Sequence, residues 1–197
     1  LELLAPLPTE VVEHSSNPPS PWAGYQKCLQ NPPNCSHLLV IQDDAVPAKN
    51  FVPALQLIAE RVAEPVVLFL ARLPRDASVL ALRAERYGHR YITMPRRGFL
   101  PVVAVLWPVE KAREFLAWAD ENPRMPAIGE PRSDDAMAGY WKIRTKQTIR
   151  ATVPSIVDHP DCVPSTIGRR ASWGKDVNRC AFLLAEDAMA YDWSTLT

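Results

Sequence analysis

Residues His37 to Asp44 read His-Leu-Leu-Val-Ile-Gln-Asp-Asp, an apolar run closed by one polar residue and two adjacent carboxylates. The run follows the turn-forming stretch Asn31 to Ser36, and an unbroken apolar segment bounded in this way fits a strand buried on both faces of a sheet. The acids then stand at the carboxyl end of the strand, where open α/β sheets bind their ligands. Hard carboxylate oxygens at that place suit a divalent cation beside an anionic ligand. Two adjacent aspartates also suit a plain turn or a helix cap, and the sequence leaves both readings open.

The following segment continues the α/β pattern. After Pro47, the residues Phe51, Leu55, Ile58 and Val62 recur at helical spacing, and the pattern stops before Pro65. Val66 to Ala71 is a second compact apolar run, so strand, helix and strand follow one another as in a parallel unit with a right-handed crossover. Upstream, Glu10 to Glu13 reads as a short strand, and Trp22 to Gln30 as a helix with Trp22, Tyr25 and Leu29 on one side. Ala77 to Met94 fits either an irregular strand pair or a helix and a strand. Phe99 to Trp107 reads as a core strand whose start, at Pro101, lies at an edge or a bulge.

Pro108 suits the first position of a further helix, with Glu110 near its positive end and Phe115, Leu116 and Ala119 as its buried stripe. Ser133 is the expected N-cap of a helix from Asp134 to about Ile143, with Met137, Tyr140 and Trp141 at core spacing. Lys146 to Val153 alternates as a solvent-facing strand does, Pro154 to Gly168 reads as a polar loop, and the segment from Lys175 reads as a final helix that clasps the domain. Trp22, Trp107, Trp141 and Trp173 are open to two uses, stacking on a sugar or base, or core packing.

A chain of 197 residues builds one sizeable core, and its 47% hydrophobic and 22% charged residues are ordinary for a globular protein. The 20 prolines, about twice the usual share, imply many fixed turns between short elements. No apolar run approaches the roughly 18 residues of a membrane helix, so no membrane span is expected. Cys28, Cys35, Cys162 and Cys180 form no Cys-x-x-Cys pair and have no His at zinc-site spacing. With no visible signal peptide, a reducing, cytoplasmic location is expected.

Net charge is zero but unevenly spread: Lys142, Arg144, Lys146, Arg150, Arg169, Arg170, Lys175 and Arg179 face only Asp158, Asp161 and Asp176 between residues 142 and 179. This is a solvated basic face, or an anion site if the cations converge near the carboxylates. A cation at Asp44 needs a second donor from elsewhere, and His159 in Val157-Asp158-His159-Pro160 is the first candidate, with Asp158 as the alternative.

The segment Ser36 to Pro47, followed by Phe51, resembles the acidic metal-binding motif of GT-A-type glycosyltransferases, in particular the lipopolysaccharide-modifying family whose strand ends in Glu-Asp-Asp. Gln42 stands where that family often has an acid. The strand Phe99 to Trp107 with its helix, then Ser133-Asp134-Asp135, then Val153 to His159 with Ser165 follow in the family's order. The resemblance covers roughly residues 22 to 168.

It implies an α/β fold, a single GT-A-like (Rossmann-like) domain over residues 1–168 with a mixed, mostly parallel sheet flanked by helices. The first strand would lie upstream of Leu1, or the donor would be held differently. Residues 169–197 would add a basic loop and helix packed on the same domain. It further implies a metal-dependent transferase that moves a sugar from a nucleotide diphosphate sugar, UDP-linked by analogy, to a hydroxyl acceptor such as a glycan or a hydroxymethylated DNA base. Asp44 and His159 would hold Mn²⁺ or Mg²⁺. Asp43, Ser165 and Arg169 would bind the donor, and Asp134 or Asp135 would be the catalytic base. Gln42 and the short N-terminal segment also fit a degenerate fold used as a non-catalytic binding module. Clustered acids fit a metal-dependent nuclease or phosphotransferase as a third reading.

Overall fold

The computed structural model describes residues 4–13, 20–72, 75–96, 100–122, 133–160 and 180–195. In chain order the elements are α1 (Pro21–Leu29), β1 (His37–Ile41), β2 (Val46–Pro47), α2 (Phe51–Arg61), β3 (Val66–Val67), α3 (Arg75–Arg86), β4 (Tyr91–Thr93), β5 (Ala104–Pro108), α4 (Val109–Glu121), α5 (Asp134–Thr145), β6 (Arg150–Thr152) and β7 (Val157–Asp158). A 3-10 turn follows at Ala188–Ala190.

Five strands form the main sheet in the order β1-β5-β3-β6-β4. The sheet is mixed, as expected, but it is not mostly parallel. Only β3 and β6 pair in parallel; β1 with β5, β5 with β3, and β6 with β4 are antiparallel. The reason lies in β5. It inserts between β1 and β3 and runs against both, so the β1-α2-β3 unit is split by a strand from later in the chain.

Side chains alternate along each strand between two cores. Val67, Val105, Trp107, Ile92 and Ala151 face one core with α1, α3, α4 and α5. Val66, Leu68, Leu106, Ala104 and Tyr91 face the other, with α2 and the C-terminal residues Ala185, Ala188 and Trp193. The molecule is therefore a sheet covered on both faces.

Trp22, Trp107 and Trp141 belong to the first core, where Trp107 stacks on Phe115 at 5.3 Å and Trp141 lies 5.3 Å from the same ring. Core packing is their use, and Trp173 lies outside the described residues. The α1 helix carries Trp22, Tyr25 and Leu29 on its buried side, and Ser20 caps it by accepting from the Ala23 N–H at 3.3 Å. The α2 helix buries Phe51, Leu55 and Ile58 as the spacing requires.

Several expectations need correction. Residues 10–13 form no strand, and Ala77 to Met94 resolves into α3 and β4. Pro108 caps α4 while still paired with His37, one position before the helix. The strand near Lys146 is β6, buried inside the sheet rather than facing solvent, because it lies between β3 and β4.

The final helix is absent from the described residues after Cys180. Instead residues 182–188 form an irregular strap. Phe182 N–H donates to Leu70, Ser155 N–H to Leu183, Ala185 N–H to Ser155, and Ala188 N–H to Lys49. Those long-range backbone bonds satisfy groups that a helix would have paired internally. Trp193 then anchors the strap, fully buried, with its Nε1 donating to the Ala188 carbonyl at 2.7 Å and its own carbonyl accepting from Tyr91 Oη at 3.1 Å.

Candidate functional site

At the carboxyl end of β1 the chain turns sharply, with Ala45 N–H donating to the Gln42 carbonyl at 3.2 Å. The turn presents Asp43 to solvent and leaves Asp44 only 20% exposed. β2 leaves this turn and pairs antiparallel with β7, Val46 opposite Asp158 and Pro47 opposite Val157. That register fixes the position of the next residue after β7. His159 is carried back along β2 toward the turn, and its Nε2 lies 2.9 Å from Asp44 Oδ2. Its side chain is 2% exposed, with the ring 6.0 Å from Phe69. The two residues expected to meet at the strand end therefore do meet.

Asp158, the alternative donor, has one carboxylate oxygen engaged elsewhere. Its Oδ1 accepts from Ala181 N–H at 2.7 Å, which turns the carboxylate toward the C-terminal strap. The strap also supports the far side of the turn. Asp187 accepts from Asn50 Nδ2 at 3.0 Å and lies 3.7 Å from Lys49 Nζ, which fixes the left-handed Asn50 ahead of α2. The Asn50 side chain, the Met189 N–H and the Lys49 ammonium together hold the Asp187 carboxyl below the usual carboxylate range. Neither the Asp158 nor the Asp187 contact is signalled by sequence spacing.

Asp134 and Asp135 open α5 as expected, at the position where carboxylates favour a helix. Ser133 occupies the N-cap position without a side-chain cap bond; Asp134 Oδ1 instead accepts from the Asp135 N–H at 2.9 Å. Asp135 Oδ1 accepts from Val102 N–H at 2.9 Å, and the next residue, Val103, accepts from Gln42 N–H at 2.8 Å. The acid pair and the Asp43-Asp44 turn are thus joined through Val102 and Val103, the two residues that lead into β5. Burial pushes both carboxyls above the usual range, Asp135 furthest, where the adjacent Asp134 charge adds to the effect. Hydrogen bonds from backbone N–H groups oppose the rise without cancelling it.

Among the described residues, the basic side chains of this segment make no contact with the site. Lys142 is buried and donates to the Pro95 carbonyl, and burial lowers its ammonium below the usual lysine range. Arg150 pairs with Glu64 at 3.3 Å, while Arg144 and Lys146 are exposed. Ser165, Arg169, Arg170, Lys175 and Arg179 lie outside the described residues. Two surface depressions, one beside α3 and Pro95 and one beside Ser155 and Phe182, are not lined by Asp44, His159, Asp134 or Asp135.

Among the described residues no group of three His, Cys, Asp or Glu side chains is arranged to hold a metal ion. Asp44 Oδ2 and His159 Nε2 contact each other directly at 2.9 Å, and one oxygen and one nitrogen at that separation are also compatible with two adjacent positions on an octahedral ion, about 3 Å for bonds near 2.1 Å. Phosphate oxygens and water complete the shell of such ions at nucleotide sites. Comparison with protein-family models, with curated proteins and with solved structures finds no match.

Proposed function

We propose that this chain is a GT-A-like glycosyltransferase that moves a sugar from a nucleotide diphosphate sugar to a hydroxyl acceptor, with Mn²⁺ or Mg²⁺ as cofactor. The observation that carries the reading is the 2.9 Å approach of His159 to Asp44 at the carboxyl end of a sheet strand. Open α/β sheets bind ligands at that end. Asp44 and His159 would hold the cation, and Asp43, on the exposed side of the same turn, would face the donor.

The cation, when bound, supplies positive charge against the diphosphate as it departs. The chain's own residues do the rest. Asp134 or Asp135 takes the proton of the acceptor hydroxyl as its oxygen attacks the anomeric carbon of the donor, and the bond from that carbon to the diphosphate oxygen breaks. A carboxyl raised by burial is, once ionised, a stronger base than an ordinary carboxylate. Ser165 and Arg169 stay with the donor diphosphate in this proposal. The acceptor is a glycan or a modified DNA base, and steep weakening with salt would mark the latter.

A second reading, a non-catalytic module that binds nucleotide sugars, is favoured by the burial of Asp134, which is 8% exposed. A two-metal nuclease or phosphotransferase needs further carboxylates around Asp44, and the described residues supply no such group.

Thermal shift with a series of nucleotide diphosphate sugars, with and without Mn²⁺, tests the proposal. At 100-fold excess over Kd a specific donor should raise the midpoint by about 5–10 °C. The rise should need Mn²⁺ and vanish in Asp44→Asn. A metal-dependent shift without sugar transfer to any acceptor supports the binding module; an unchanged shift and activity in Asp44→Asn refutes the site.

A further inference from the structure

Helix α3 turns its small residues to the sheet and its large apolar ones to solvent. Ala77, Ser78, Ala81 and Ala84 are buried, whereas Val79 is 49% exposed, Leu80 36%, Leu82 48%, and Tyr87, just past the helix, 67%. A helix that serves only the core does the reverse. Eight large apolar residues are exposed among the described residues, and four of them are these, so the exposure is concentrated rather than scattered.

The same outward face is basic. Arg75, Val79, Arg83 and Arg86 recur at spacings that align them along one side of the helix, and all three arginines are exposed, as is Arg72 before it. Between residues 72 and 86, Arg72, Arg75, Arg83 and Arg86 stand against Asp76 and Glu85. Leu80 and Tyr87 flank the arginine line on one side and Leu82 on the other.

A polyanion alone would engage the guanidinium groups and leave Leu80, Leu82 and Tyr87 in water. A bilayer surface takes both. Apolar side chains enter the boundary between headgroups and acyl chains, while arginines extend to the phosphates at the level of the headgroups. The face carries one shallow depression, lined by Arg75, Asp76, Val79, Leu80 and Pro95, and its net positive charge selects anionic lipid.

We propose that α3 is a membrane-docking helix, which seats the protein on bilayers rich in anionic phospholipid. It does not depend on the transferase reading, since no residue of the Asp44 site lies on α3.

Co-sedimentation of the full chain with vesicles tests it, using phosphatidylcholine alone and an equimolar mixture with phosphatidylglycerol. Binding should be at least about tenfold stronger to the anionic vesicles and should fall with salt. Both Leu80→Glu/Leu82→Glu and Arg83→Glu/Arg86→Glu should lose about tenfold or more, with an unchanged far-UV spectrum. Met189→Glu, at an exposed apolar residue of the C-terminal 3-10 turn, should bind as the parent does. Equal binding to both vesicle types overturns the proposal. So does retention by the leucine variant, which would mark a plain polyanion site. No vesicle binding together with a dimer broken by Leu80→Glu/Leu82→Glu would assign the face to a second copy of the chain and overturn it equally.

Discussion

Asp135 carries a carboxylate into a setting that resists its ionisation. Its oxygen satisfies the Val102 N–H, a task that a neutral amide performs as well, yet burial and the neighbouring Asp134 hold its pKa well above the ordinary value. A folded-state pKa above the unfolded one means that the folded chain binds its proton more tightly. Stability from this group is present at acid pH and is lost as pH rises through the raised value. Asp135→Asn, which keeps the acceptor and cannot ionise, should therefore be more stable than the parent at pH 8, and the gain should shrink toward pH 4. Urea unfolding at the two pH values checks this. If the residue is the catalytic base, the same variant loses transfer activity while gaining stability, the trade expected of a functional carboxylate kept at a cost to the fold. His159 gives the complementary case. Its imidazole is buried beside Phe69 and faces Asp44, so His159→Ala should lower stability through the buried void and, if the proposed metal site is right, abolish the Mn²⁺-dependent thermal shift.

The strap of residues 182–188 is the element that makes the site possible. It bonds to Leu70, Ser155 and Lys49, while its entry at Ala181 holds Asp158 and its Asp187 holds Asn50, so both strands of the β2–β7 ribbon are fixed from outside. Trp193 secures its end. Trp193→Ala should cost about 3–5 kcal/mol, read as a lower urea midpoint with an unchanged slope. The run Ala181 to Ala190 has strong intrinsic helix formers, and this is why sequence periodicity misreads it. Its backbone partners are remote in the chain, and local propensity carries no information about them. The α1 and α2 helices were legible for the opposite reason: Trp22, Tyr25 and Leu29, and Phe51, Leu55 and Ile58, meet the core at intervals that the helix itself dictates. In α3 the apolar spacing was ambiguous because its large side chains do not face the core at all.

At the scale of the molecule, strands could be read from apolar runs, but neighbours could not. The insertion of β5 between β1 and β3 depends on which hydrogen-bonding edges meet, and a run such as Val66 to Ala71 is the same in either pairing. The meeting of Asp44 with His159 was legible only as the need for a second donor, with Asp158 left open beside His159, because the β2–β7 register that produces it rests on two-residue strands too short to show a pattern. The sheet order has a thermodynamic consequence. Val66 and Val67, Ala104 and Val105, and Tyr91 and Ile92 each send one side chain to each core, so neither core can lose its packing without disturbing the strands that line the other. Phe115, in the core beneath α4, and Phe51, in the core beneath α2, are both buried. Truncating either to Ala should cost about 3–5 kcal/mol and lower one shared unfolding midpoint rather than split the transition. Tryptophan fluorescence reports side-chain packing through Trp22, Trp107, Trp118 and Trp141 on one core and Trp193 in the other, while far-UV circular dichroism reports the whole backbone, so the two probes should give coincident urea curves in Phe51→Ala as in Phe115→Ala. Separate midpoints in either variant would show that the two faces of the sheet fold as independent units.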